Sequence, residues 1–213
     1  KPLERGKRSV PSLCCLPARC YDYINMEKKL REFMAHRRKK SVTDPKRTPS
    51  AVLLPIYYKE GQCYILFTQR TNNVKEHKGQ ISFPGGARQD GESLLDTALR
   101  EACEEIGLAP AEVEVLGELD DTATTTSNFV VTPFVGVIPW PSNIKADGWE
   151  TDEIIEVPIS ALLNKNSRED KKEVVGGQPV TSYFYHYGNR VIWGATARIL
   201  YQFLELYQRA MTE

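Results

Sequence analysis

Residues 85 to 108 read "GGARQDGESLLDTALREACEEIGL", and the character of the whole chain turns on that stretch. At roughly 100° per residue, Leu95, Ala98, Leu99, Ala102 and Ile106 fall on one side of a helix, while Glu101, Glu104 and Glu105 share the other. Asp90 or the 91–93 turn supplies the helix start, and Gly107 suits the left-handed position that ends one. Amphipathicity explains the helix but not its choice of charge, because like charges three and four apart cost about 0.2–0.5 kcal/mol per pair. Arg100 reaches Glu104 at i+4 and leaves Glu101 and Glu105 uncompensated. A hard divalent cation, Mg²⁺ or Mn²⁺, resolves the crowding, since it takes a few carboxylates and keeps waters and phosphate oxygens as its other ligands. The glycines ahead of the helix let backbone approach the same ion or a phosphate. An isolated acidic segment would read as a solvated face; the spacing of the whole stretch favours the cation.

Around this helix the pattern is β-rich. "AVLLPIYY" and "CYILFTQR" flank "KEGQ" as a hairpin, and their continuous apolar character predicts strands covered on both faces. "VEVLGELDD" and "NFVVTPFVGVIP" follow as strands, then "EIIEVPISALL" as a strand leading into a helical turn. "VTSYFYHY" and "RVIWG" flank Gly188 and Asn189 as a second hairpin. The closing "TARILYQFLELYQRAM" carries Ile199, Leu200, Phe203, Leu204 and Tyr207 on one stripe. Strands interleaved with few helices predict a mixed α/β sheet with helices on its faces. Residues 1–49 read as an arm: irregular to about residue 24, then a peripheral helix in "NMEKKLREFMAHRRKK", then a linker; residues 50–213 form the main domain.

Composition bounds the partners. Lys plus Arg equals Asp plus Glu, 28 each, so no global positive field draws the chain to nucleic acid or an anionic membrane. No apolar run approaches the ~18 residues that span a bilayer. The five cysteines lack paired zinc spacing and read as reduced thiols. A cytoplasmic setting is the expectation, with a mitochondrial or other organellar one kept open by a basic, acid-poor first twenty residues. The oligomeric state, a homodimer included, is open at this level.

From Gly86 to Leu108 the sequence matches the Nudix box G-x5-E-x7-R-E-U-x-E-E-x-G-U, with Ala102 small for its aliphatic slot. The chain therefore resembles the Nudix hydrolases. The resemblance implies an α/β/α sandwich and hydrolysis of a nucleoside diphosphate linked to another moiety. It implies Glu101, Glu104 and Glu105 as metal ligands, Gly86 as a carbonyl ligand, and Arg100 and Glu92 as groups that orient helix and loop. Immediately upstream, "LFTQRTNNVKEHKGQISFPGG" resembles the signature of the coenzyme A pyrophosphatase subfamily through Leu66, Thr68, Arg70, Gly79, Phe83, Pro84, Gly85 and Gly86. Phe67, Thr71 and Lys75 depart from it, and Lys75 lacks the planar fork that suits phosphate. "TTTSNFVVTPFVGVI" and "RVIWGATARIL" extend the resemblance over roughly residues 50 to 206.

The substrate so implied is coenzyme A or a derivative, cleaved by water to 3′,5′-ADP and 4′-phosphopantetheine. Arg70, Lys75, His77 and Lys78 would complement phosphates beyond the ion's reach, with Phe83 beside them, and Glu150 in "DGWETDEIIEVPISAL" is the candidate general base. Tyr185, Tyr187 and Trp193 are aromatic candidates for stacking on adenine, although strand alternation accounts for the tyrosines as packing. Other substrates of the same chemistry (dinucleotides, ADP-ribose, nucleoside triphosphates) form the second reading. A binding domain without catalysis is a third, weakened by the intact set of acids; RNA decapping is disfavoured by zero net charge.

Overall fold

The computed structural model describes residues 18–71, 79–140, 143–175 and 177–212. Helix α1 (Ala18–His36) leads into β1 (Thr48–Lys59) and β2 (Gln62–Arg70). Lys59 pairs with Gln62, which leaves Glu60 and Gly61 as a two-residue turn, both at positive φ. Short strands β3 (Ile81–Ser82) and β4 (Gly85–Ala87) precede α2 (Leu94–Ile106). Then come β5 (Glu114–Glu118), β6 (Thr122–Ala123), β7 (Phe129–Val137), β8 (Thr151–Pro158) and α3 (Ile159–Leu162). A second, three-stranded sheet of β9 (Arg168–Val175), β10 (Gln178–Tyr187) and β11 (Arg190–Ile192) leads into α4 (Gly194–Thr212).

The main sheet runs β3-β2-β1-β7-β5, with β4 added to β1, β6 to β7 and β8 to β2. β1 and β7 are parallel, and the other described pairs are antiparallel. Because side chains alternate across a strand, the apolar run of β1 feeds two cores. Ala51, Leu53 and Tyr57 pack with Ala98, Ala102 and Ile106 of α2. Leu54 and Ile56 pack on the opposite face with Leu200 and Phe203 of α4. A mixed sheet with helices on both faces, the α/β/α sandwich, is thus what the strand pattern of β1 and β2 anticipates.

Three features differ from the sequence reading. Helix α1 begins at Ala18, inside the stretch read as irregular. It is also well covered: Met26, Leu30 and Met34 are buried in the core that α4 shares, and Arg37 and Lys39 pair with Asp120 and with Glu118 and Asp121. Strand β9, "REDKKEVV", has no apolar alternation to announce it; its register with β10 (Arg168 opposite Tyr185, Val175 opposite Gln178) makes it a strand. Its anchor is Arg168, whose guanidinium lies over the stacked rings of Tyr183 and Tyr201. No described helix is long and apolar enough to cross a membrane.

Leu30 is fully buried, so Leu30→Ala should cost about 2–5 kcal/mol of unfolding free energy. Urea denaturation followed by far-UV circular dichroism measures this, with one cooperative transition expected. A loss below about 0.5 kcal/mol, the scale of a surface substitution, would show that α1 does not share the core.

Candidate active site

The site is built outward from α2. Ser93 caps the helix by accepting the Asp96 N–H, and Gly107 ends it at φ 70°. The 86–92 loop is closed by Glu92, whose carboxylate accepts the Gln89 N–H at 3.1 Å and the Thr97 hydroxyl at 3.0 Å. Arg100 then ties loop to helix. Its Nε donates to Glu92 at 2.6 Å, and its Nη1 lies 2.7 Å from Glu101 and 2.9 Å from Glu104. The Arg100 hydrogen bond holds the Glu92 carboxyl down at about 2, and the same acids raise the guanidinium pKa further.

Glu105 has a different environment. Helical periodicity alone places it on the polar face, yet it is only 5 % exposed. The cause is tertiary: β4 lies across this side of α2, and the Gly85 N–H points at the Glu105 carboxylate from 3.5 Å. Burial pushes the Glu105 carboxyl up to about 8 and outweighs the opposing pull of Gly85 and Arg70. Burial raises Glu101 as well, against the charge of Arg100. Glu104 points outward, more than half exposed, with Arg100 as its partner.

Strand β4 comes this close because of its glycines. A Cβ on Gly86 would sit 2.6 Å from the carboxyl carbon of Glu101, and one on Gly85 2.3 Å from the Ala51 carbonyl oxygen. Real Cβ atoms avoid both distances. Backbone, Glu101 and Glu105 can therefore meet only with glycine at both positions.

The 143–150 loop, between β7 and β8 on the α2 side of the sheet, completes the site. The Asp147 N–H donates to the Glu105 carbonyl at 3.0 Å, which docks the loop on the end of α2. The Asp147 carboxylate collects the N–H groups of Trp149, Glu150 and Thr151. Thr71 secures the other flank: its hydroxyl donates to the Trp149 carbonyl at 2.7 Å and its N–H to the Glu150 carbonyl at 2.8 Å. Glu150, nearly half exposed, then stands 3.6 Å from Arg70. The Arg70 Nε is buried without a hydrogen-bond partner among the described residues, an unspent donor of the kind that native interiors seldom leave.

These groups open on a cleft of about 780 Å³, lined by Arg70, Phe83, Gly86, Glu101, Trp149 and Glu150 among others. Its size falls within the ~300–1,000 Å³ of small-molecule sites. Phe83 is stacked on Phe67 at 4.8 Å and buried, so it forms floor rather than a free ring. Lys75, His77 and Lys78 lie outside the described residues. Of the aromatic candidates, Tyr185 is buried in the core and Trp193 is 47 % exposed.

Two residues escaped the sequence reading: Asp147, which fixes Glu150, and Trp149, 72 % exposed on the cleft wall. The Asp-Gly of "ADGWET" is a turn signal, but nothing in a single chain says that this turn docks on Glu105.

Among the described residues no three His, Cys, Asp or Glu side chains are gathered closely enough to hold an ion alone. Mg²⁺ needs no such cage, since one or two carboxylates plus waters and substrate phosphate oxygens satisfy it. Glu101, Glu105 and the Gly86 backbone fit that pattern, because they bring oxygen donors together where one guanidinium, Arg100, is shared by Glu92, Glu101 and Glu104 and does not pair with the buried Glu105.

The NUDIX domain family model matches residues 46–176. The Nudix hydrolase NudL of Photorhabdus laumondii is 38 % identical over 160 residues, covering 75 % of this chain and 84 % of that protein. NudL of an Enterobacter species is 33 % identical over 178 residues, covering 83 % and 92 %. Among solved structures, a MutT/nudix family protein from Enterococcus faecalis superimposes with TM-score 0.56 at 16 % identity, covering 93 % of this chain and 76 % of that one. With the family model spanning residues 46–176 and relatives matched over most of their length, the chain belongs to the Nudix family of hydrolases, enzymes that act on pyrophosphate bonds.

Proposed function

We propose that the protein hydrolyses the diphosphate of coenzyme A or its derivatives with the aid of Mg²⁺ or Mn²⁺, releasing 3′,5′-ADP and 4′-phosphopantetheine or its acylated form. The observation that carries this reading is the meeting, in one cleft, of Glu101 with Arg70 and the segment of Ser82, Phe83, Gly85 and Gly86, with the buried Glu105 behind that segment against the Gly85 N–H. That segment bears the residues that resemble the coenzyme A pyrophosphatase signature. In this reading residues 50–213 carry the catalytic groups, and the preceding residues act through packing.

A divalent ion, when bound, neutralises charge on the phosphoryl group and acidifies the attacking water. The chain's own residues do the rest. Glu101, Glu105 and the Gly86 carbonyl hold the ion, with Glu104 as a further ligand that Arg100 restrains. Arg100 and Glu92 keep loop and helix in register. Glu150, positioned by Asp147 and Thr71, takes the proton of the attacking water as general base. Arg70 offers its buried Nε and its Nη groups to a phosphate, and Lys75 and His77 extend the binding set.

Mass spectrometry of products after incubation with Mg²⁺ or Mn²⁺ and a panel of coenzyme A, acyl-coenzyme A, NADH, ADP-ribose and dinucleoside polyphosphates tests the reading. Preferential release of 3′,5′-ADP is expected; cleavage of the other diphosphates with coenzyme A intact would overturn the substrate assignment. Glu105→Gln should lower kcat by at least about a hundredfold without lowering the urea midpoint, because it removes a buried ligand charge and keeps its volume. Retained metal-dependent turnover would defeat the ligand role. Arg70→Ala should raise KM for coenzyme A several-fold more than for dephospho-coenzyme A, about tenfold, in steady-state assays. Equal effects on both would remove Arg70 as a reader of the 3′-phosphate.

A further inference from the structure

Beside the cleft lies a smaller chamber of about 370 Å³. It adjoins the cleft, with Gln80, Thr124, Ser127, Ala195 and Thr196 lining both. One wall is β10, another the start of α4, and Trp193, nearly half exposed, stands at its edge. None of the residues given catalytic roles above lines it.

Its chemistry is distinctive. Hydroxyls come from the 124–127 turn, Thr181, Ser182 and Thr196, and apolar surface from Val180, Phe184 and Trp193. Two charged side chains reach it, one of each sign. Arg198 donates to the Ala123 carbonyl at 3.4 Å, and Glu173 accepts the Ser182 hydroxyl at 2.7 Å. With one charge of each sign the chamber carries no net positive charge to draw a second phosphate, and Glu173 opposes one. Arg70 lines the cleft and not the chamber. A neutral chain that alternates methyl groups with amides and hydroxyls suits it: Ser182 and Thr124 are engaged with Glu173 and Phe129, but the hydroxyls of Thr125, Thr126, Ser127, Thr181 and Thr196 can donate to amide carbonyls and accept amide N–H groups, while the indole and Phe184 cover the carbons.

We infer that this chamber is the subsite for the uncharged, amide-bearing arm of the substrate, the pantetheine side of the scissile diphosphate. The inference rests on the coenzyme A reading above and deepens it. The substrate is divided by charge: its phosphates stay with Arg70 and the acids of the cleft, and its neutral arm passes Thr124 and Thr196, which line both spaces. Binding energy gathered remote from the reacting phosphorus then becomes available to the chemical step.

The test compares kcat/KM for coenzyme A with that for a truncated substrate, adenosine 3′-phosphate 5′-diphosphate carrying only a methyl ester. Two variants on opposite walls are used. Thr181→Trp fills the chamber, and Trp193→Ala removes an exposed ring whose loss is compatible with folding. In each, the ratio of full to truncated substrate should fall on the order of tenfold. A second readout needs no metal: in EDTA, calorimetric titration with 4′-phosphopantetheine should show Kd weakened to a similar degree in Trp193→Ala, with 3′,5′-ADP binding shifted much less. Wild-type protein that leaves coenzyme A intact would defeat the substrate reading and this inference with it. Wild-type cleavage of coenzyme A, with the ratio unmoved in both variants or with the two ligands weakened equally, would overturn the chamber alone.

Discussion

The constraint on which the structure depends is the close approach of the Gly85–Gly86 backbone to β1 on one side and to the carboxylate of Glu101 on the other. Two absent methyl groups make it possible, since a Cβ at Gly85 would overlap the backbone of Ala51 and Val52, and one at Gly86 would displace the Glu101 carboxylate. From it follows the seating of β4 on β1, with Gly86 opposite Ala51. The docking of α2 over that strand follows next. So does the burial of Glu105, which no helical wheel anticipates.

Burial of like charges is the second theme. Removing carboxylates from water disfavours their charged form, and the loop and helix together deal with Glu92, Glu101, Glu104 and Glu105 in two ways. Glu92, Glu101 and Glu104 are gathered on one guanidinium, Arg100, which holds loop and helix together. Among the described residues Glu105 receives no such partner, only a distant backbone N–H, and burial raises its carboxyl accordingly. A polar arrangement left unsatisfied within a packed interior is costly unless it serves binding. The Arg70 Nε, buried without a partner among the described residues and lining the same cleft, is the cationic counterpart.

The surrounding elements make a cleft of this arrangement. The 143–150 loop is drawn to the end of α2 by backbone hydrogen bonds to Ile106 and Glu105, so the acid it carries faces the helix acids across open space. On the other flank, β10 and the start of α4 enclose the hydroxyl-lined chamber. Helix α1 lies outside this catalytic arrangement but inside the energetics, through Leu30 and Met34 in the shared core.

Much of this was legible in the sequence wherever the information is local. The apolar run of β1, the Glu60–Gly61 turn, the Ser93 and Gly107 ends of α2 and the stripe on α4 are each set by neighbours within a few residues, where propensity and periodicity act. The spacing of Gly86, Glu92, Arg100, Glu101 and Glu105 belongs to this class too, because one loop and one helix carry all five. Strand β9, the depth of Glu105, the docking of α1 and the place of Asp147 and Trp149 were decided by tertiary structure. Each depends on a partner far along the chain: β9 on the register of β10, Glu105 on β4, α1 on α4, and Asp147 on the last turn of α2. The sequence by itself thus determined the chemical groups and their local spacing. Only packing decided which are withdrawn from water and what faces them, since desolvation is a property of the space around a group and not of the residues beside it in the chain.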